Sequence, residues 1–186
     1  MSQSELFNDI ERRAHFTDGN RITLTRTWNK SMPIALVIGC NPSTANGLDD
    51  DPTTRWWNKW FRQAGFGGYI AMNLYPFCTS NPLECRQIAD WEDAEDWAAR
   101  DAMQANMLQV VAIAKQVDEV YVCWGAIAWD QDWIDLFVEE IQGNEEPWPD
   151  LLCWGATMNG APKHPLARGK HRIDPNQQPI VWKEAN

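Results

Sequence analysis

Three polar residues stand directly at, or just after, short apolar runs, the place where a fold tends to display its chemistry. Asn41 follows Pro33–Cys40 (PIALVIGC), Asn73 interrupts the run Tyr69–Leu74 (YIAMNL), and His164 sits in Gly160–Leu166 (GAPKHPL) with a proline on either side. An asparagine amide has two donors and an acceptor to satisfy. Inside an apolar strand it must pin a loop or meet the polar edge of a ligand, and nucleobase edges are such ligands. Imidazole near neutral pH moves a proton or stabilises a developing negative charge. Pro42 sets the turn after Asn41, and Ser43 and Thr44 offer hydroxyls to backbone or ligand. Asn-Pro is also a common turn dipeptide, and a histidine between prolines also serves as a packed residue of a stiff loop.

Charge isolates the His164 segment. From Ala161 to Arg172 there are four bases (Lys163, Arg168, Lys170, Arg172) and no acid, on a chain of net charge −10. Between Glu84 and Glu146 lie 16 acids against three bases. Such a body repels nucleic acid and anionic membrane as a whole, while the local patch can hold a phosphate. It is too small for a tight non-specific duplex binder. In Asp49-Asp50-Asp51 one carboxylate is expected to cap the following helix, and the others read as a solvated run rather than a cation site. No zinc ligand set, GxxxxGK[ST], GxGxxG or GxSxG is present, so neither a metal nor a cofactor is expected.

The elements that must hold these residues follow from hydropathy. Arg21–Trp28 alternates Ile22, Leu24, Arg26 and Trp28 against threonines, a β pattern expected as an edge strand or half a hairpin. Four nearly continuous apolar runs, 34–40, 69–74, 119–124 and 151–154, suit strands buried on both faces. Helical patterns separate them: one opening at Asp51-Pro52 and ending at Gly65, a long acidic one over 90–116, and one over about 126–141. Alternating strands and helices predict a three-layer α/β/α sandwich around a central four-stranded parallel sheet, plus the N-terminal strand or hairpin. Ligands of such sheets bind at the carboxyl ends of the strands, where Asn41, Asn73 and His164 would converge.

The rest bounds the setting. The 186 residues fit one domain, with the motifs inside about 21–168. Five cysteines show no CxxC and an odd count, the usage of a reducing cytoplasm, and neither a signal peptide nor a membrane-spanning run is evident. Of the 12 tryptophans, those in the first helix are expected in the core. Trp124 and Trp154, at strand ends, are expected to line a pocket.

Two resemblances attach to these residues. The ordered segments G-C-N-P-S-T-A, D-P-T-x-R, N-L-Y-P-F, C-W-G-A and G-x-P-K-H-P-L, from about Arg21 to Leu166, resemble a bacterial and phage domain family of unknown function. More loosely, Gly39-Cys40-Asn41-Pro42, Asn73, Cys123–Ala128 and His164-Pro165 resemble the uracil-DNA glycosylase superfamily, a four-stranded parallel α/β/α sandwich. That likeness implies that Asn41 orients water or the sugar, Asn73 reads a base edge, and His164 stabilises the departing base anion. Phe77 or Trp124 would stack on the base, and Lys163 and Arg168 would grip phosphate. The expected ligand is a nucleobase, nucleotide or modified nucleic acid, and the expected reaction is cleavage of an N-glycosidic bond. The alternative is a non-catalytic module of the same fold, binding a nucleotide, or a protein partner through the acidic helix.

Overall fold

The computed structural model describes residues 10–43, 45–89, 97–143 and 148–185. It opens with a hairpin of β1 (Glu11–Thr17) and β2 (Asn20–Thr27). Asp18 and Gly19 both take positive φ, 49° and 79°, in the two-residue turn whose twist matches that of the strands it joins. Pairing runs His15↔Thr23 and then Phe16↔Arg21, so Ile22 is the extra residue of a bulge. The bulge sends Ile22 into the core on one face of the sheet and leaves Leu24 in the core on the other.

The four apolar runs form β3 (Ile34–Gly39), β4 (Gly68–Asn73), β5 (Glu119–Val122) and β6 (Leu151–Cys153). They pair in parallel in the order β4-β3-β5-β6. The sheet as a whole is larger and mixed. Its order is β1-β2-β4-β3-β5-β6-β7, with β2 antiparallel to β4 and β7 (Ile180–Lys183) antiparallel to β6. The expectation of a four-stranded parallel sheet is corrected accordingly to a seven-stranded mixed one. The antiparallel flank at β7 has a plain reason for escaping notice: it is an edge strand, mostly exposed, and its apolar run is only the three residues Ile180–Trp182.

Four helices lie among the described residues. α1 (Pro52–Gln63) starts as its sequence requires, with Asp51 accepting from Thr54 N at 2.8 Å and Pro52 in the first turn. Gly65, at φ 89°, follows its end. α2 (Pro82–Ala89) covers a stretch that the sequence patterns left unassigned, and Asn81 starts it by accepting from Leu83 N at 3.0 Å. The long helix expected over 90–116 is α3 (Trp97–Ala114), with 90–96 outside the described residues. α4 (Gln131–Gln142) begins later than expected, because Asp130 caps it through Trp133 N at 2.9 Å. The residues before it form a short 3-10 turn, Gly125–Ile127, which Gly125 enters at φ 73°.

Alternation along β3 divides the core. Leu36 and Ile38 pack with Met107 of α3 and Phe137 of α4. Ala35 and Val37 pack with Trp57, Trp60 and Phe61 of α1. Helices therefore cover both faces, and each side of the sheet buries its own apolar layer. The chain runs from β3 to β4 through α1 on one face, then returns past β3 to β5 through helices on the other. A single crossover hand demands that arrangement, and it places a reversal of direction between β3 and β5. No helix among the described residues is long and apolar enough to cross a membrane.

Candidate functional site

A reversal of strand order leaves a crevice at the carboxyl ends of the strands, because the two following loops diverge to opposite faces. The loop after β3 is tied to the loop after β4. Leu74 N donates to Gly39 O and Tyr75 N to Cys40 O, both at 3.0 Å, and Thr79 N donates to Pro42 O at 3.1 Å. Asn41 completes the tie, its Nδ2 donating to Thr79 O at 2.8 Å and to Pro42 O at 3.1 Å. Both amide hydrogens of Asn41 thus hold the scaffold, and only its oxygen is left for another partner.

Asn73 ends β4 opposite Gly39 in register. Its side chain lies over that glycine so closely that a Cβ at 39 would stand 2.9 Å from Asn73 Oδ1. The residue is 4% exposed, and its Nδ2 has no hydrogen-bond partner. Its carbonyl accepts from the buried Asn106 Nδ2 of α3 at 2.8 Å, which fixes the strand end. A buried amide donor without an acceptor is costly.

His164 is delivered by a small hairpin. Ala156 bridges Pro162, Thr157 N donates to Ala161 O, and Lys163 N donates to Gly155 O, the last two at 2.8 Å. Gly125 N donates to Pro162 O at 2.9 Å, and a Cβ on Gly125 would come 3.2 Å from His164 Cβ. The glycine after Trp124 therefore lets the hairpin seat itself against the end of β5. The ring Nδ1 accepts from Leu166 N at 3.1 Å, so in the neutral imidazole the proton sits on Nε2. Burial holds the His164 pKa below the usual value, and the nearby Asp51 carboxylate opposes that shift. At neutral pH the residue is an uncharged Nε2–H donor.

These residues share one cavity of about 250 Å³, lined among others by Asn41, Ser43, Asn73 and His164. Arg21, Cys40, Asp51, Trp57, Ile127 and Leu166 line it too. Burial pushes the Cys40 thiol up to about 12, so it is an inert wall rather than a nucleophile. The Asp51 carboxylate takes its hydrogen bonds from described residues on Oδ1 only, from Thr54 N and Thr54 Oγ1. Thr44 lies outside the described residues.

Other expected positions fall elsewhere. Phe77 is in the core, as is Trp124, which packs edge-on against Trp182. Trp154 is also buried, stacked on Tyr121, and Trp57, in the core as its helix predicts, also lines the cavity. Pro42, Lys163 and Arg168 do not line it: the Lys163 stem runs along Gly155, and Arg168 is exposed. Asp50 is not solvated, because the fully buried Arg26 pairs with it at 2.7 Å and Asn58 Nδ2 donates to it at 2.9 Å. Sequence reasoning passed over Arg21, which alternation groups with Thr23, Thr25 and Thr27 rather than with the inward-facing Ile22 and Leu24. A larger cavity of about 570 Å³ opens near Glu119, at the opposite end of β5, away from all of these groups. No cluster of three or more metal-ligating side chains occurs among the described residues.

The fold and site define a mixed α/β protein with a polar cavity at the carboxyl ends of its parallel strands. The chain belongs to the family described as a protein of unknown function (DUF1643), which matches residues 21–166. The matched span begins at Arg21 and ends at Leu166, both in the cavity wall. Comparison with the curated proteins and with the solved structures found no match.

Proposed function

We propose that the cavity binds a nucleobase-bearing ligand, free or within nucleic acid, in a site of the uracil-DNA glycosylase type. The observation that carries this reading is Asn73, a buried amide on the cavity wall whose Nδ2 has no partner. A planar ligand edge with an acceptor there recovers the lost hydrogen bond, and the neighbouring Asn73 Oδ1 accepts from an adjacent donor. Trp57, Ile127 and Leu166 supply apolar contact beside it. The volume of about 250 Å³ lies at the lower end of ligand pockets, roughly 300–1,000 Å³, which suits a ligand no larger than a single nucleotide.

The catalytic form of this reading is hydrolysis of an N-glycosidic bond. His164 donates Nε2–H to the departing base, where negative charge develops. Asp51, the one carboxylate among the described residues lining the cavity, takes the proton of the attacking water. Asn41 has no titratable group, and its amide hydrogens are committed to the loop. A binding module without turnover is the alternative, and Asn41 favours it.

Calorimetry with a panel of bases and nucleosides, and release of free base from oligonucleotides carrying uracil, mismatched or modified bases, test both forms. Binding should be lost in Asn73→Ala, and base release should fall by about 10²–10³ in His164→Ala. Binding that survives Asn73→Ala refutes the assignment. Binding without base release in the wild type reduces the function to recognition.

A further inference from the structure

The cavity contains a cation that the nucleobase reading does not use. Arg21 is 4% exposed, lines the cavity, and donates through Nη1 to Ala45 O at 2.6 Å. Its Nε is sealed from solvent and has no hydrogen-bond partner. None of the four ion pairs among the described residues includes it. Arg26, on the same strand, is equally buried but has Asp50 and three backbone carbonyls around it. The comparison separates a structural arginine from one whose partner is missing. A guanidinium removed from water with one neutral acceptor among the described residues bears a large desolvation cost, which an arriving oxyanion offsets through paired N–H···O bonds.

The surroundings suit an oxyanion as well. Pro52 and Thr53, the first residues of the 12-residue helix α1, line the same cavity, so the positive end of the helix faces it. Ser43 adds a hydroxyl from the loop after β3. Asp51 carries the opposing charge, but its Oδ1 is bound to the Thr54 amide and hydroxyl. Burial holds the Arg21 pKa below its ordinary value, and Asp51, which opposes that shift, forms no ion pair with it.

We propose that Arg21 is an anion-binding residue of the cavity and that the ligand carries a phosphomonoester: a mononucleotide rather than an uncharged base or nucleoside. The base part of this assignment rests on the proposed function, whereas the phosphate part rests on Arg21 alone. It also moves the phosphate grip from the outer loop with Lys163 and Arg168 to the interior.

The test follows the Arg21 Nε–H resonance of the ¹⁵N-labelled protein, assigned by its absence in Arg21→Lys. Inorganic phosphate should shift it, and sodium chloride at equal ionic strength should not. Calorimetry then compares each nucleoside with its 5′-monophosphate. The monophosphate should bind at least about tenfold tighter to wild type, since one charge-assisted pair contributes that much, and the advantage should vanish in Arg21→Gln. The shift is read in the wild type and needs only the charge-conserving Arg21→Lys for assignment, so instability of Arg21→Gln leaves the test intact. An unmoved Nε–H, or equal affinity for nucleoside and monophosphate, overturns the proposal even where nucleosides bind. A shift with phosphate in a protein that binds no nucleoside retains the anion site and removes the nucleobase reading.

Discussion

Gly39 and Asn73 face each other across β3 and β4, and the asparagine amide fills the space that a side chain at 39 would take, with 2.9 Å between a Cβ there and Asn73 Oδ1. The two positions are one unit: the glycine makes room, and the amide uses it to lie along the cavity wall. Gly39→Ala should therefore fold, because the clashing atom ends a side chain that can swing away. The measurable loss should be in ligand affinity, approaching that of Asn73→Ala, with stability lowered by about 1–3 kcal/mol. Full affinity in Gly39→Ala would show that the placement of Asn73 does not matter.

Asn41 yields the opposite pattern. Its Nδ2 joins the loops after β3 and β4 through Pro42 O and Thr79 O. Asn41→Ala removes two hydrogen bonds of roughly 0.5–1.5 kcal/mol each. The urea midpoint should fall accordingly, and Asn41→Asp, which cannot donate, should fall with it. A catalytic role as large as that of His164 would instead leave stability unchanged and abolish turnover.

The pH dependence turns on His164. Burial depresses its folded pKa below the unfolded value of about 6.5. Above that value both states are neutral and the group contributes nothing to the pH slope. As pH falls below about 6.5 the unfolded chain takes up a proton that the folded chain resists, so stability declines until the folded pKa is passed. Protonation also removes the Nδ1 acceptor from Leu166 N. Chemical denaturation from pH 8 to pH 5 should show this decline, and His164→Gln should lack that part of it. An NMR titration placing the His164 pKa above 6.5 contradicts the prediction.

The buried pair of Arg26 and Asp50 fastens the loop that leads into α1 onto β2. Arg26 is 0% exposed, and its guanidinium also donates to Asn46 O at 2.8 Å and Thr25 O at 2.9 Å. Asp50→Ala leaves a cation sealed from water without its counter-ion. The expected cost is about 3–5 kcal/mol in equilibrium unfolding, well above that of an exposed ion pair. A loss below about 1 kcal/mol would mean that the loop rearranges to hydrate Arg26.

What the sequence determined by itself is local. The four apolar runs became β3 to β6, Asp51-Pro52 opened α1 as a cap followed by proline, and Gly65 closed it. Asn41, Asn73 and His164 were legible because strand ends of a parallel sheet meet at one edge, and Asn41, Asn73 and His164 do line one cavity. Hydropathy period and cap chemistry depend on residues a few positions apart, so a reader of the chain can see them. Packing between distant segments decided the remainder. Arg21 meets Ala45 O across 24 positions, Asp50 is claimed by Arg26, and Trp124 is covered by Trp182 of the edge strand β7. No period marks such meetings. Whether an arginine near a strand end finds a carboxylate or an open cavity depends on which loop folds over it, and only the tertiary structure settles that.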